Sequence, residues 1–501
     1  MLVRPAVPSP SSWLRTAPGE PGDYGTWTAE RLQQWLRSST ERDPVIVLAQ
    51  RAPGAQRGGN GPATAVEPLI RACSGVWIAA EDSSTATLDA NDPFRVQTLP
   101  IDSGDLSAAT AFAHEALWPL CHRAHVKPTF RADDFTTYWR VNAQFAEAVD
   151  VEAGEGSPLV LVQDYHFALA PLIIRERRPS SRIVTFWHIP WPDWQTFEIC
   201  PWGRHLLEGL LGSSILGFQT PLDCRNFVET VERCLGAHID RHQEAVTYEG
   251  RQVLVRAYPA SVRWPDWWAS CVPDAQVCRD SIRQQLRLPA GNGPGNSSVR
   301  LGIGVDRLDH AKGIEEKFLA IERLLECYPE FRGRFVFAQL AAPCHEGPAP
   351  CRELRARVHA IRDRVNGTFA AGGLQPIHLI EDTHAPSYVN MCLRAADFCY
   401  VGSLHDGMHL VAKEFVAARD DERGVLVLSA FAGAARELTD ALVLNPYDID
   451  GAASVLARAL TMADDEQMER MRRLRAVVAE FSAWRWAAQI LTDAARLRRQ
   501  R

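Results

Sequence analysis

The sequence predicts an α/β protein made of two Rossmann-like, doubly wound domains facing a central cleft. Three observations carry that prediction. Short apolar runs of strand character alternate with amphipathic helical patterns, as parallel sheets with crossover helices require. The alternation occurs twice, and between the two series it breaks around Tyr258-Pro259 to Trp264-Pro265-Asp266-Trp267-Trp268. Predicted strands end in glycine-bearing or polar turns that lead into helices, where open α/β sheets collect ligands. Length agrees, since 501 residues exceed what one hydrophobic core organises.

Residues 1–43 read as an N-terminal extension, Pro/Ser/Gly-rich at first and then carrying a short amphipathic segment, Ala29–Leu36. Residues 44–265 form the first domain. Its first strand is Pro44–Ala49, with Arg51 just past the end. A glycine-rich loop, Arg57–Pro62, leads to a helix over Ala63–Cys73. That order suggests a phosphate-facing turn, but the loop does not fit GxGxxG, so no dinucleotide fingerprint is present. Further strands are Leu159–Val162, Arg182–Trp187 and Ser214–Phe218, and helices cover Phe135–Val149, Ala168–Arg177 and Gly203–Leu211. Residues 266–475 form the second domain, whose alternation begins after the polar loop Ala290–Asn296. Its strands are Arg300–Val305, Arg334–Gln339, Ile377–Ile380, Phe398–Val401 and Val425–Ser429. Its long helices are Ile314–Glu326, Cys351–Val365 and Ile449–Thr461. Residues 476–501 hold a last helix, Trp484–Arg499, expected to pack back on the first domain.

Composition narrows the classes. The chain is 46% hydrophobic and 23% charged, ordinary for a soluble globular protein. A net charge of −7 disfavours non-specific binding to nucleic acid or to an anionic membrane. No apolar run approaches the ~20 residues of a membrane span, and the N-terminus lacks an apolar signal core, so a cytoplasmic protein is expected. The twelve cysteines include no CxxC. Three pairs are spaced by seven, Cys271/Cys278, Cys344/Cys351 and Cys392/Cys399, which is not a zinc spacing; buried free thiols are expected. Cys121-His122-x-x-His125 reads as a helix end beside Trp118-Pro119 rather than a metal site. The sequence requires no metal and no cofactor.

The most informative turn is Leu404-His405-Asp406-Gly407-Met408-His409-Leu410-Val411-Ala412-Lys413-Glu414. It joins the buried strand Phe398–Val401 to a helical pattern that starts at Leu410. Free backbone N–H groups and the positive helix end there favour an anion. Asp406 can bond sugar hydroxyls, Gly407 permits close backbone approach, and Glu414 lies one to two turns into the helix, within reach of a ribose.

Other motifs line up with it in order. Gln163-Asp164-Tyr165-His166 and Trp187-His188-Ile189-Pro190-Trp191-Pro192 sit at strand ends in the first half. Val305-Asp306-Arg307-Leu308-Asp309-His310-Ala311-Lys312-Gly313-Ile314 ends the first strand of the second half. Phe431-Ala432-Gly433-Ala434-Ala435-Arg436-Glu437-Leu438 and Asn445-Pro446-Tyr447-Asp448 follow late. Together they resemble the trehalose-6-phosphate synthase family, retaining glucosyltransferases of the two-Rossmann-domain, GT-B type, over roughly residues 44 to 495.

The resemblance implies a nucleotide-activated glucose on the second domain and a sugar phosphate on the first. Arg307 and Lys312 would clasp the donor diphosphate, whose charge grows in the transition state. Asp406, Gly407 and Met408 would hold the glucose, with His409 beside them where asparagine is usual. Leu410, Val411 and Glu414 would hold the nucleoside, and Gly61 would approach the diphosphate from the other domain. His188 would touch the donor sugar near the reacting centre; with Arg307, Lys312 and Asp406 it makes up the catalytic set. Arg51, Trp118 and Asp164 would face the acceptor, with Arg51 on its phosphate. No covalent carboxylate is implied, because the donor's own phosphate can take the acceptor proton on the face where the bond breaks.

Several positions depart from the family pattern. His345 stands where an arginine is usual on the acceptor phosphate, and a tyrosine expected about nine residues before Trp118 is replaced within Ser107-Ala108-Ala109-Thr110. Gln163 and His310 replace a usual histidine and tyrosine, and Gly203 a usual arginine. The expected activity is transfer of glucose, from UDP-glucose as first choice, to glucose 6-phosphate. Three alternatives stay open: another phosphorylated acceptor, as for glucosylglycerol-phosphate synthase; a pseudo-glycosyl coupling; and a non-catalytic sugar-nucleotide binding paralogue. Implied partners are small molecules and a separate phosphatase for the product; self-association into a homo-oligomer is left open.

Overall fold

The computed structural model describes residues 27–28, 30–32, 34, 44–53, 62–80, 93–123, 126–264, 272–289, 299–343 and 349–499. Two sheets organise them. The first contains β1 (Val45–Leu48), β2 (Val76–Ala80), β3 (Arg95–Leu99), β4 (Leu159–Gln163), β5 (Arg182–Trp187), β6 (Ile215–Phe218), β7 (His238–Asp240), β8 (Ala245–Tyr248) and β9 (Arg251–Ala257). Its order is β3-β2-β1-β4-β5-β6-β9-β8-β7. The second contains β10 (Arg300–Arg307), β11 (Phe335–Ala342), β12 (Ile377–Glu381), β13 (Phe398–Val401), β14 (Val425–Ser429) and β15 (Leu442–Leu444), in the order β12-β11-β10-β13-β14-β15. Both sheets thus contain the doubly wound 3-2-1-4-5-6 order, and only the β7–β8–β9 meander of the first is antiparallel.

That order positions the site. In a doubly wound sheet the chain reverses direction beside its first strand and leaves a crevice at the strand C-termini. Here those points lie between β1 and β4, and between β10 and β13. Arg51 follows β1, Asp164 follows β4, Arg307 ends β10, and the Leu404–Glu414 turn follows β13.

Strands of this kind are covered on both faces, so their residues are apolar throughout and alternate between two cores. Ile46 and Leu48 pack on one side of the first sheet, and Val45 and Val47 on the other. Val336 and Ala338 face one core of the second sheet, and Phe335 and Phe337 the opposite one. The last helix, Ala483–Arg499, inserts Trp486, Ile490 and Leu491 into the core that holds Val47 and Leu161, on the face of the first sheet. Trp486 Nε1 donates to the Tyr258 carbonyl at 3.1 Å, and Tyr258 OH donates to Asp493 at 2.7 Å.

Some elements escaped the sequence pattern for physical reasons. The edge strand β3 (Arg-Val-Gln-Thr-Leu) is polar and only partly buried, and the other edge strand, β7 (His-Ile-Asp), is short and poorly buried. The helix Ser103–Ala111 is small-residue-rich and has no apolar stripe. Helices Pro221–Leu235, Ala275–Gln285, Pro386–Ala395 and Asp464–Glu480 were also unanticipated. The free-thiol expectation needs correction at two points. Cys351 is disulfide-bonded. Of the nine free cysteines among the described residues, Cys327 is exposed and Cys73, Cys224 and Cys234 are only half-buried.

Candidate active site

The donor-side half begins where β10 runs out. Asp309 caps the short turn His310–Lys312, its carboxylate accepting the Ala311 N–H at 2.8 Å. Gly313 then takes φ +62° to start the helix Ile314–Cys327, and a Cβ there would sit 2.2 Å from the Gly402 carbonyl oxygen. Only glycine meets both demands. The turn aims Lys312 at Asp406, and the two form an ion pair. Ser403 Oγ adds a hydrogen bond to the same carboxylate at 3.3 Å. Burial opposes the charge of Asp406, but the Lys312 ammonium, with His409 and His122 nearby, holds its carboxyl well below the usual range. Lys312, placed by the sequence on the diphosphate, is therefore already engaged by Asp406.

The Asp406–Glu414 turn is held at its first residue by two backbone bonds. Asp406 N–H donates to the Phe431 carbonyl at 3.2 Å, and Gly433 N–H returns a bond to the Asp406 carbonyl at 3.1 Å. His409 carries φ +66° at the start of the helix Leu410–Ala418. Its side chain does not line the cleft. It turns inward, and Nε2 meets Asp306 at 3.0 Å. Asp306 also pairs with Lys317, and Gln339 Nε2 donates to it at 3.0 Å while Gln339 Oε1 accepts from Lys317 at 2.8 Å. Any part His409 plays toward a ligand therefore falls to its backbone. Met408 and Glu414 are buried, and Leu410 and Val411 half-buried.

The acceptor-side half comes from the first sheet. Arg51 is exposed past β1, its carbonyl accepting from Trp77 Nε1 at 3.0 Å. Asp164 sits at φ +74°, a conformation that non-glycine residues avoid outside functional or capping positions. Its Oδ1 accepts the N–H of Tyr165 at 3.0 Å and of His188 at 3.2 Å. Capping thus falls on the residue that the sequence placed at the acceptor side. Burial pushes the Asp164 carboxyl up to about 7, against those two N–H groups and Arg307. His188 Nε2 meets Gln163 Oε1 at 3.0 Å, and burial pulls its pKa down to about 3, so the ring is neutral.

The halves meet. A Cβ on Gly407 would stand 2.4 Å from the His188 carbonyl oxygen, so the donor turn lies directly on the strand-end loop of the other sheet. The Arg307 guanidinium lies over the Trp118 ring at 4.8 Å, and Trp118 Nε1 donates to Asp309 at 3.3 Å. His122 stacks behind Trp118 at 3.8 Å. Arg51, Trp118, Asp164, His188, Arg307, Lys312, Asp406 and Gly407 are all at this junction or on the loops bordering it. Gly61 and His345 lie outside the described residues.

Sequence reasoning missed Asp309, His114 and the Asp306–Lys317–Gln339 cluster. Asp309 stood inside a motif already singled out. His114 carried no signal, because its position depends on a π-helical turn, Phe112–Leu117, in which the Trp118 N–H bonds the Ala113 carbonyl five residues back.

A model described as glycosyltransferase family 20 matches residues 35–496. The trehalose-6-phosphate synthase of Mycolicibacterium gilvum is 35% identical over 485 residues, covering 89% of this chain and 92% of that protein. The one from Mycobacterium avium is 34% identical over 476 residues, covering 89% and 94%. Among solved structures, the α,α-trehalose-phosphate synthase (UDP-forming) of Burkholderia xenovorans, in complex with glucose-6-phosphate, superposes with a TM-score of 0.81 at 32% identity, covering 90% of this chain and 100% of that one. An Escherichia coli structure with UDP-2-fluoro glucose bound has a TM-score of 0.81 at 28% identity, covering 90% and 99%.

Proposed function

The chain belongs to glycosyltransferase family 20, and we propose that it moves glucose from UDP-glucose to glucose 6-phosphate with retention, giving α,α-trehalose 6-phosphate. One observation carries the reading. The donor turn rests on the acceptor-side loop, with Gly407 against the His188 carbonyl and Arg307 over Trp118. A sugar held by Asp406 and a second held near Asp164 would meet at that seam.

Each side chain then has a task. Arg307 and Lys312 neutralise the departing diphosphate, and Lys312 passes from Asp406 toward the phosphate as it arrives. Asp406 accepts hydroxyls of the transferred glucose. Neutral His188 offers a ring nitrogen to the sugar without adding charge beside the forming cation. Asp164 accepts an acceptor hydroxyl, and Arg51 faces the acceptor phosphate. The donor's own phosphate oxygen takes the acceptor proton while the C–O bond to the leaving group breaks on the same face. Catalysis is then positioning, leaving-group stabilisation and exclusion of water. No metal or cofactor enters this scheme. Among the described residues no helix is long and apolar enough to cross a membrane, and we place the reaction in the cytoplasm, with a separate phosphatase consuming the product.

Another phosphorylated acceptor is the second reading. What favours it is the stretch where a tyrosine was expected: Ala109 is buried, and Thr110 is held by Gln50 Nε2 at 2.9 Å, so neither supplies a phenol to the cleft. The test is UDP release from UDP-glucose with glucose 6-phosphate, glycerol 3-phosphate and other sugar phosphates, with NMR of the product's anomeric protons. Release with glucose 6-phosphate and an α,α-linked product is expected. Release with glycerol 3-phosphate alone would transfer the assignment to the second reading, and release with no acceptor would overturn both.

A further inference from the structure

His114 and His166 form a pair that the scheme above leaves unused. They come from different elements, His114 from the π-helical turn and His166 from the loop after β4. Their Nε2 atoms are 3.3 Å apart, and the rings cross edge-to-face at 5.4 Å. His114 is exposed and His166 half-buried. The surrounding charged and titratable groups come from every neighbouring strand end: Arg51 after β1, Asp164 and Tyr165 after β4, His188 after β5, Arg307 and Asp309 at the end of β10.

Arg51 and Arg307 both bear on this pair, while the Asp309 carboxylate that opposes them at His114 is already bonded to Ala311 and Trp118. Two ring nitrogens that converge where two arginines bear on them suit an anion. We infer that His114, together with His166, is a further acceptor-binding residue, receiving the phosphate monoester group between Arg51 and Arg307.

Both imidazoles are neutral. The protein packed around the ring desolvates His114 and, with Arg307 and Arg51, lowers its pKa to about 4, with Asp309 opposing; burial, His114, Arg51, Arg307 and His188 hold His166 well below its ordinary value. In the neutral pair one N–H can lie between the two Nε2 atoms, one donating and one accepting. A dianionic phosphate reverses the local field. One imidazole then takes a proton from solvent, and both rings present N–H groups to phosphate oxygens. Binding of the phosphate is thus coupled to proton uptake.

The inference rests on the acceptor reading above, and the test separates them. Glucose 6-phosphate, glycerol 3-phosphate and inorganic phosphate are titrated calorimetrically into the full chain and into His114→Gln, at pH 7.5 in two buffers of different ionisation enthalpy. UDP-glucose affinity and the thermal melt are measured alongside to check that the variant folds, and His114→Ser provides a second. Loss of a charge-assisted hydrogen bond predicts phosphate binding weaker by roughly 10- to 100-fold, unchanged donor affinity, and less proton uptake than in the wild type. Affinity within twofold of wild type overturns the inference, and so does weaker binding with unchanged proton uptake. If glucose 6-phosphate does not bind but glycerol 3-phosphate binds in a His114-dependent way, the glucose 6-phosphate assignment falls and this one stands. If glucose 6-phosphate binds and reacts equally in both proteins, the reverse holds. Absence of any phosphate binding overturns both.

Discussion

Replacing Lys317 by methionine removes one charge from beneath the donor turn while keeping the volume of its stem, which packs on Gly402. The Lys317 side chain is 0% exposed and that of Asp306 1%, so water cannot replace the lost partner. Truncating one member of a buried pair leaves the other charge uncompensated, at a cost of about 3–5 kcal/mol. His409 Nε2 and Gln339 Nε2 still face Asp306, which places the expectation at the lower end, about 3 kcal/mol. For a domain of about 200 residues each kcal/mol lowers Tm by roughly 2–4 °C, so the melt should fall by about 6–12 °C. The pH dependence has a definite sign. Against burial, Lys317 and His409 hold the Asp306 carboxyl well below its ordinary value. A depressed carboxyl pKa gives stability that is present above the unfolded value, near 4, and is lost as pH falls through the folded one. The gap between wild type and Lys317→Met should therefore be widest near pH 7 and narrow below about pH 4. Thermal unfolding followed by circular dichroism at pH 7 and pH 3.5 reads both. A Tm within about 2 °C of wild type at pH 7, or a gap that widens in acid, would refute the reasoning.

Three further outcomes are expected. Asp164 titrates near 7 in the fold, so acceptor KM should fall as pH rises from 6 to 8 and the carboxylate forms, and Asp164→Asn should flatten that component of the profile; its raised pKa also means the wild type loses stability as pH rises from about 4 through 7, so the variant's Tm should gain on wild type at pH 8 relative to pH 5. Gly407→Ala puts a methyl 2.4 Å from the His188 carbonyl oxygen, which should force the seam apart and lower kcat/KM by about 100-fold, checked by steady-state UDP release. Gly313→Ala combines φ +62° with a contact of 2.2 Å to Gly402, so a loss of more than about 1 kcal/mol is expected in urea unfolding, larger than for alanine at the open position Gly367.

The doubly wound halves were legible because parallel strands buried on both faces read as unbroken apolar runs. Leu159–Val162 and Phe398–Val401 are such runs, and both are strands. Arg95–Leu99 was not legible, because an edge strand needs apolar residues on one face at most. At the site, Arg307, Lys312 and Asp406 stood in motifs whose order along the chain mattered more than any single residue, and the structure brings Lys312 to Asp406 across 94 residues. The inward turn of His409 was not readable, since it depends on Asp306 lying 103 residues away in sequence. His114 was invisible for a similar reason: one extra residue in a helical turn changes which side chains face the cleft, and no pattern of 3.6 announces it.

The seam between the halves is tied to the crossover that joins them. Lys413, on the helix after the donor turn, is buried and donates to the Ala260 carbonyl at 2.8 Å and to Glu437 at 3.1 Å. Ala260 N–H in turn donates to Gln219 Oε1 at 2.9 Å, while Gln219 Nε2 donates to the His188 carbonyl at 3.4 Å. That carbonyl is the atom on which Gly407 rests. A chain of hydrogen bonds therefore runs from the donor helix through the crossover to the acceptor-side loop and closes on the donor turn. Moving the second sheet away from the first about Tyr258–Trp264 must break the contact at Gly407 or the bond at Ala260. Opening of the cleft is thus opposed in part by Lys413, Ala260 and Gln219, which have no part in the proposed substrate contacts, and the crossover backbone helps to hold the two strand-end loops in register.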